Sequence, residues 1–309
     1  MLKVIKPGLL STIQDLGRTG HQQYGIITSG VMDSVAYRIG NALLKQSDKA
    51  AIEMTLIGGT FEFKNATAFV LTGGTVQATL NDQPVPMYKV ISAKCGDILT
   101  CGTISNGARI YLCVAGGFLV KEMLGSRSTY LKATFGGFEG RLLQQADEIP
   151  YKETTAIYSE YQVNITAFYD QNGPIRILQG TEWAQLSIEM QKSFLNQTYT
   201  ISNKSDRMGY QLEAPKPVIL EKPFQLISEA VTFGTIQLPP SGHPILLMAD
   251  RQTTGGYPKI GQVITADLHR LAQFKTRQPL QFQLVSLEQA EEAYFELEQQ
   301  LRLLEAVLK

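Results

Sequence analysis

The chain has 309 residues, of which 44% are hydrophobic and 18% are charged. This composition excludes a disordered or fibrous protein, and the length suffices for two lobes, because domains commonly contain about 100 to 200 residues. Lys and Arg total 28, as do Asp and Glu, so no long-range electrostatic field favours nucleic acid or an anionic membrane as a partner. We therefore expect small polar molecules or other proteins as ligands.

The amino-terminal residues and the apolar runs predict a cytoplasmic protein. A Pro–Gly pair at residues 7–8 precedes any apolar segment of the length that a secretory signal needs. Apolar runs such as residues 245–249 are far shorter than the roughly 20 residues of a membrane-spanning helix. Cys95, Cys101 and Cys113 match neither a metal knuckle nor a disulfide framework. We expect them to be reduced and to lie in strand-like segments.

The first half of the chain predicts one helix and several strands. Residues 32–45 place apolar side chains on one helical face, and Asp33 is suited to cap the helix start. Short runs rich in Val, Ile, Thr, Phe and Tyr are separated by turn residues, at residues 60–63, 68–74, 97–102 and 108–117. This pattern is typical of a β-sandwich or β-barrel.

The second half is also mainly β. Residues 150–174 are polar and lack periodicity, which places a linker near 151–173. Helices are predicted over 181–194 and from Ser286, where Ser-x-x-Gln forms a capping box. Strands are predicted at residues 175–180, 243–249, 262–266 and 280–285. The predicted domains are an amino-terminal β-rich lobe (1–152), a carboxy-terminal β-barrel lobe (172–286) and a final helix (287–309).

The segment Ala249–Ile260, ADRQTTGGYPKI, is the densest in chemically useful side chains. It follows a predicted buried strand, and loops on rigid β scaffolds commonly carry functional sites. Gly255 and Gly256 permit positive φ, so their amides could face an anion, while Lys259 supplies charge and Asp250 accepts a proton. The loop also contains Arg251, Gln252, Thr253, Thr254 and Tyr257. A tight polar barrel turn is the alternative interpretation.

Three further segments allow both a structural and a functional interpretation. In SDRMG, residues 205–209, Arg207 is suited either to a local pair with Asp206 or to a carboxylate or phosphate ligand. GSRST at 125–129 and FGGFEGR at 135–141 fit either an oxyanion-binding nest or Ser/Thr-capped turns.

In a fourth segment, QDLGRTG at residues 14–20, Asp15 and Arg18 are spaced to pair across a turn.

Common cofactor and metal motifs are missing from the sequence. It contains no GxxxxGK[ST], no strand-linked GxGxxG and no HExxH. His21, His243 and His269 lack ligand spacing, so we predict no metal site.

Several motifs occur together in a fixed order: PGLLSTIQDLGRTG, SGVMD, GSRST, FGGFEGR, SDRMG, ADRQTTGGYPKI and TADLHRLAQ. From Pro7 to about Phe282, the chain resembles the family that comprises the C subunit of 5-oxoprolinase, allophanate hydrolase subunit 2 and the carboxyltransferase lobe of urea carboxylase. The resemblance implies a mainly β, cyclophilin-like fold of β-barrel lobes with a few peripheral helices.

The resemblance also implies an activity. It indicates a subunit of an ATP-dependent 5-oxoprolinase that opens 5-oxo-L-proline to L-glutamate, with ATP as co-substrate and with 5-oxoprolinase subunits A and B as partners, the latter of similar architecture to this chain. For this chemistry, the polar groups of the chain predict Lys259, Asp250 and Tyr257 as catalytic residues. The predicted substrate- or phosphate-binding residues are Arg127, Arg207, Gln252, Thr253, Thr254, Gly255 and Gly256.

Two other functions remain open at this stage. Related lobes transfer carboxylate from carboxybiotin to urea or a similar small amide, and biotin would then arrive on another protein because this chain has no Met-Lys-Met motif. The third possibility is a regulatory module that binds a kinase-inhibitor-like partner. A scaffold has no need of Lys259 or Asp250, so the polar loop favours an enzyme.

Overall fold

A computed structural model describes residues 1–154, 158, 161–165, 168–169, 173–220 and 226–308. The chain forms two compact units. Unit 1 comprises Met1–Thr19, Ser29–Tyr169 and Gln299–Lys309, and unit 2 comprises Gly20–Thr28 and Asp170–Glu298. The predicted domain boundaries remain predictions, and this division differs from them in three respects. Unit 1 extends to Tyr169, residues 20–28 belong to unit 2, and the final helix is divided between the units. Part of the predicted linker lies outside the described residues.

Unit 1 contains a nine-stranded sheet within the described residues. The order β2-β3-β8-β4-β1-β9 forms its main path, and β5 pairs with β6, β7 and β8. All these pairings are antiparallel. The strands are β1 (Leu2–Lys6), β2 (Leu10–Gln14), β3 (Ala51–Thr55), β4 (Thr60–Phe63), β5 (Thr67–Leu80), β6 (Gln83–Val85), β7 (Ile91–Ala93), β8 (Ile98–Val114) and β9 (Glu148–Ile149).

The long strand β8 corrects the prediction of two separate strands at 97–102 and 108–117. Residues 98–114 form one strand that pairs with β3, β4 and β5. Its turn-forming residues, such as Gly107, lie opposite register shifts in β5. Because these bulges absorb the irregular residues, the strand bends and continues.

The first helix confirms its predicted start. Helix α1 (Ser34–Leu43) is capped by Asp33, whose Oδ1 accepts the Ala36 amide at 2.9 Å. The apolar face of α1 is buried, as its periodicity predicts. In the core of unit 1, Phe63 and Phe69 stack with centroids 5.2 Å apart.

Unit 2 contains a barrel of eight strands in the order β18-β11-β12-β15-β14-β17-β10-β19. The two ends of this order, β18 and β19, are separated only by Gln281 in the chain, so the sheet closes on itself. A separate two-stranded ribbon pairs β13 with β16. The strands are β10 (Ile175–Gln179), β11 (Tyr199–Ile201), β12 (Gly209–Glu213), β13 (Glu229–Ala230), β14 (Thr235–Gln237), β15 (Ile245–Leu247), β16 (Thr254–Gly255), β17 (Lys259–Val263), β18 (Pro279–Leu280) and β19 (Phe282–Leu284).

Aromatic side chains fill part of unit 2. Phe194 stacks on Phe282 at 5.2 Å and meets Trp183 edge-on at 5.7 Å. The helix predicted over 181–194 is corrected: a 3-10 turn (Trp183–Gln185) precedes α2 (Ile188–Asn196), because the Ser187 hydroxyl caps a new helix start by accepting the Met190 amide.

Two more α-helices lie in the described part of the chain: α3 (Leu268–Ala272) and α4 (Leu287–Leu308). The predicted capping box at the start of α4 is confirmed, since the Gln289 amide donates to Ser286 Oγ at 3.3 Å and the Ser286 amide donates to Gln289 Oε1 at 2.9 Å. Ala290 and Ala293 of α4 pack against Ile264 and Ala266 in unit 2.

The predicted mainly β architecture of barrel lobes with a few peripheral helices is confirmed. None of the helices in the described part of the chain has the length and apolarity to cross a membrane. All three cysteines are free thiols, but Cys95 is exposed in a turn and not in a strand.

Candidate functional site

A buried ion pair fixes the start of the 249–260 loop in unit 2. Asp250 follows β15, and Arg207 lies just before β12, the strand that pairs with β15. Two parallel bonds join the side chains, from Arg207 Nε to Asp250 Oδ2 and from Nη2 to Oδ1, each 3.0 Å long. The Asp250 amide also donates to the Arg207 carbonyl oxygen at 2.8 Å. Only 4% of Asp250 and 5% of Arg207 are exposed, so the pair holds the loop in a fixed position.

The partner of Arg207 corrects the local pairing considered from the sequence. Asp206 does not pair with Arg207; its Oδ1 accepts the Met208 amide at 2.8 Å and the Gly209 amide at 3.3 Å. Asp206 therefore shapes the turn that presents Arg207. The guanidinium fork faces the carboxylate of Asp250, 43 residues away.

Lys259 lies at the other end of the loop, as the first residue of β17. Its amide donates to Glu182 Oε2 at 2.7 Å, and its carbonyl oxygen accepts the Glu182 amide at 3.1 Å. A Cβ on Gly180 would overlap that carbonyl oxygen, so glycine is needed there. The ammonium forms a short ion pair with Glu229 Oε2. The Lys259 side chain is 14% exposed and that of Glu229 is 54% exposed, so a competing anion can reach this pair.

The residues between these two ends form the ribbon and its turn. Thr254 and Gly255 pair with the strand that contains Glu229, and Thr253 accepts the Val231 amide at 3.1 Å through its carbonyl oxygen. Gln252 and Thr253 are half-buried, while Thr254 is exposed. The hydroxyl of Thr254 is therefore open to solvent.

The two glycines of the loop correct a prediction, because neither Gly255 nor Gly256 adopts positive φ. Gly255 is needed for space, since a Cβ there would overlap the buried side-chain amide of Gln237. That amide donates to the Tyr257 carbonyl oxygen at 3.4 Å. The Tyr257 residue is 44% exposed, so its phenol is accessible to a ligand or a partner.

Arg251 is a site residue that the sequence reasoning did not select. It is only 8% exposed, yet its one hydrogen bond within the described residues is a long contact of 3.5 Å from Nη1 to the Ala249 carbonyl oxygen. Its Nε is buried without a hydrogen-bond partner in the same part of the chain. Burial lowers the pKa of the Arg251 guanidinium, and the charge of Asp250 opposes this effect. Adjacency to Asp250 in the sequence was the available signal.

Arg127 lies in unit 1, whereas the other predicted site residues lie in unit 2. Its guanidinium pairs with Glu122 at 3.0 Å and donates to the Val120 carbonyl oxygen at 3.2 Å. Its amide donates to the Asp15 carboxylate. The side chain is one-third exposed, so an incoming anion would compete with a solvated carboxylate.

The GSRST segment does form an anion-binding nest, and the anion that it binds is the carboxylate of Asp15 in the same chain. Ser126 Oγ and Ser128 Oγ each donate to Asp15 Oδ1 at 2.6 Å. The expected Asp15–Arg18 pair is therefore replaced by these bonds. Arg18 lies over the Phe135 ring at 4.9 Å and donates to the Ser128 carbonyl oxygen.

The chain was compared with known families, sequences and structures. The family model described as carboxyltransferase domain, subdomain A and B, matches residues 24–284. The chain is 39% identical to the C subunit of 5-oxoprolinase from Haemophilus influenzae over 291 residues, covering 94% of this chain and 93% of that protein. It is also 39% identical to the C subunit of 5-oxoprolinase from Escherichia coli over 305 residues, covering 96% and 97%. The crystal structure of Kluyveromyces lactis urea carboxylase superimposes with a TM-score of 0.87 at 27% identity, covering 98% of this chain and 29% of that chain.

Proposed function

Because this chain belongs to the family of carboxyltransferase domains with subdomains A and B, we propose that it is one subunit of an ATP-hydrolysing 5-oxoprolinase. The substrate is 5-oxo-L-proline, and the products are L-glutamate, ADP and phosphate. The observation that carries this proposal is the end-to-end similarity, at 39% identity, to two proteins named as the C subunit of 5-oxoprolinase. Because those names describe a subunit, they support a heteromeric enzyme.

The chemistry explains why such an enzyme needs ATP. An unactivated lactam resists attack by water because resonance with the ring nitrogen makes its carbonyl carbon a weak electrophile, and because the nitrogen is a poor leaving group. Transfer of the γ-phosphoryl group to the carbonyl oxygen releases ADP; water then adds to the lactam carbon, and the ring C–N bond breaks as the nitrogen gains a proton. A second water releases phosphate from the resulting acyl phosphate. Cationic groups near the lactam oxygen stabilise the charge that develops there.

The 249–260 loop supplies groups suited to this work. The Lys259 ammonium is held near the surface by an exposed carboxylate, so it can turn to a phosphate or an oxyanion. Asp250 and Arg207 are so fully engaged with one another that Asp250 acts as a positioning residue. Tyr257 is accessible to contact the substrate or a partner subunit.

The remaining predicted ligand contacts are part of the same proposal. Arg127 of unit 1 stays a predicted anion-binding residue in its own right, and it would bind an anion in exchange for Glu122. The polar groups of the loop would hydrogen-bond the substrate, and they belong to Gln252, Thr253, Thr254, Gly255 and Gly256.

The proposed complex contains 5-oxoprolinase subunits A and B beside this chain, the latter of similar architecture to it. ATP is its co-substrate, and we place the complex in the cytoplasm, where ATP is available. Small-molecule turnover without nucleic acid or membrane is consistent with the zero formal net charge.

A second candidate is carboxyl transfer from carboxybiotin to urea or a similar small amide. The superposition on urea carboxylase, with a TM-score of 0.87, favours it over a purely regulatory role. Biotin would then be supplied by another protein. The same loop would bind a neutral acceptor, so a substrate test separates the two candidates.

The test reconstitutes the full chain with its two partner subunits and measures ADP and glutamate release. We expect release only when 5-oxo-L-proline is present, and we expect Lys259→Ala to abolish it while the complex stays assembled. Lys216→Ala is the matched control, because Lys216 is exposed in the same unit. If the intact wild-type complex releases no ADP in response to 5-oxo-L-proline, the proposal is wrong. Carboxylation of urea by the same complex with a biotinylated carrier would support the second candidate.

A further inference from the structure

In the loop of unit 2, two buried guanidiniums act on the carboxylate of Asp250, which forms two parallel hydrogen bonds with Arg207 and none with Arg251. Glu229 pairs with Lys259, and Glu182 accepts the Lys259 amide. Within the described residues, no carboxylate forms a hydrogen bond or an ion pair with Arg251. Burying a charge without a dedicated partner is costly, and such groups commonly mark the place where a ligand brings the missing charge.

The two guanidiniums differ in how they are used. Arg207 directs its Nε–Nη2 edge at a carboxylate, with both bonds 3.0 Å long. The same edge of Arg251 has no acceptor within the described residues, since the one hydrogen bond of this side chain leaves from Nη1. A guanidinium edge of this kind fits a carboxylate with two parallel bonds. The Nε–Nη2 edge of Arg207 is therefore occupied by Asp250, whereas the same edge of Arg251 is open to a carboxylate ligand.

Position in the chain links the guanidinium fork of Arg251 to the proposed site. Arg251 directly precedes Gln252–Tyr257 in the loop that ends at Lys259. The adjacent residue, Asp250, is anchored by Arg207 and by a backbone bond of 2.8 Å, so the base of the loop is fixed. A fixed cation selects among ligands better than a mobile one, because less rotamer freedom is lost on binding.

We propose that Arg251 binds the carboxylate of 5-oxo-L-proline and thereby selects a lactam that has an α-carboxylate over neutral amides such as 2-pyrrolidone and urea. This inference rests on the proposed function. Arg251 is then a specificity-determining residue: it binds the part of the substrate that does not react, and the neutral amide group alone gains nothing from it.

The test compares two ligands that share the lactam ring and differ in the carboxylate. Binding of 5-oxo-L-proline and of 2-pyrrolidone to the assembled complex is measured by calorimetry, and the KM for 5-oxo-L-proline is measured by ADP release. For Arg251→Met we expect binding of 5-oxo-L-proline to weaken about 10- to 100-fold, as for loss of a charge-assisted pair, while 2-pyrrolidone binding is unchanged. Arg251→Lys keeps the charge but loses the fork, so its loss is smaller.

Controls separate the inference from its premise. Arg277→Met removes an exposed arginine of the same unit and should leave both ligands unaffected. Equal weakening of the two ligands in the Arg251 variants, or no weakening of either, overturns the inference. If Arg251→Met does not fold, the Arg251→Lys complex decides, because unchanged affinity for 5-oxo-L-proline would show that the fork is not used. Absence of 5-oxo-L-proline-dependent ADP release in the wild type instead overturns the proposed function.

Discussion

Replacing Arg207 by Met should strongly destabilise unit 2, because it leaves the Asp250 carboxylate buried without its fork. Removing one partner of a buried ion pair typically costs about 3 to 5 kcal/mol. Arg251 lies close enough for its charge to act on Asp250, so it can recover part of the loss. We therefore expect about 3 kcal/mol, the lower end of that range.

The chain provides its own probe for this measurement. Its single tryptophan is Trp183, which is 4% exposed and lies edge-on to Phe194 in unit 2. Urea unfolding followed by tryptophan fluorescence therefore reports on the unit that contains the ion pair. The control is Arg277→Met, for which we expect a change within about 0.5 kcal/mol, as for other exposed substitutions.

A loss below about 1 kcal/mol for Arg207→Met would refute the reasoning, because that is the size expected for a surface pair. It would mean that Arg251 alone compensates Asp250. It would also show that the Arg207–Asp250 ion pair is not needed for the stability of unit 2.

Two further predictions concern ionisable groups outside the loop. Burial opposes ionisation of Asp267, but hydrogen bonds from Arg176 outweigh it and lower the pKa of this carboxyl below its ordinary value of 3.8. The ionised carboxylate therefore stabilises the folded chain fully above that value, and this contribution is lost as pH falls through the lower folded-state pKa. Acid should consequently reduce the urea midpoint less in Asp267→Asn than in the wild type. Among the thiols, Cys95 is exposed, whereas burial raises the pKa of Cys101 and Cys113 to about 12. Mass spectrometry after treatment of the folded protein with iodoacetamide should therefore find only Cys95 alkylated. Rapid labelling of all three cysteines would contradict the packing.

Local sequence signals predicted the elements well where the decisive contacts are local. The Asp33 cap and the Ser286 capping box join residues three apart, so their patterns are visible in the sequence. The long strand β8 was missed because its turn-like residues are stabilised by pairing with β5 across the sheet. Tertiary pairing commonly overrides local preference in strands.

The candidate site shows even more clearly that local sequence does not predict contacts between distant residues. The sequence identified the loop and most of its polar side chains, but the partner of Arg207 lies 43 residues away. It also passed over Arg251, because a buried guanidinium looks like any surface arginine until the fold shows its burial and its few contacts. Burial is a property of packing, and packing depends on residues that are distant in sequence.

At the GSRST segment, the carboxylate of Asp15 competes with any external anion for the same hydrogen-bond donors. It is tethered by the chain to the Ser126 and Ser128 hydroxyls that it contacts at 2.6 Å. A tethered ligand has an effective concentration on the order of millimolar even on a short flexible linker. A free phosphate must therefore compete with this tethered carboxylate at the nest. Any phosphate contact by Arg127 depends on its side chain alone, because its amide also donates to Asp15.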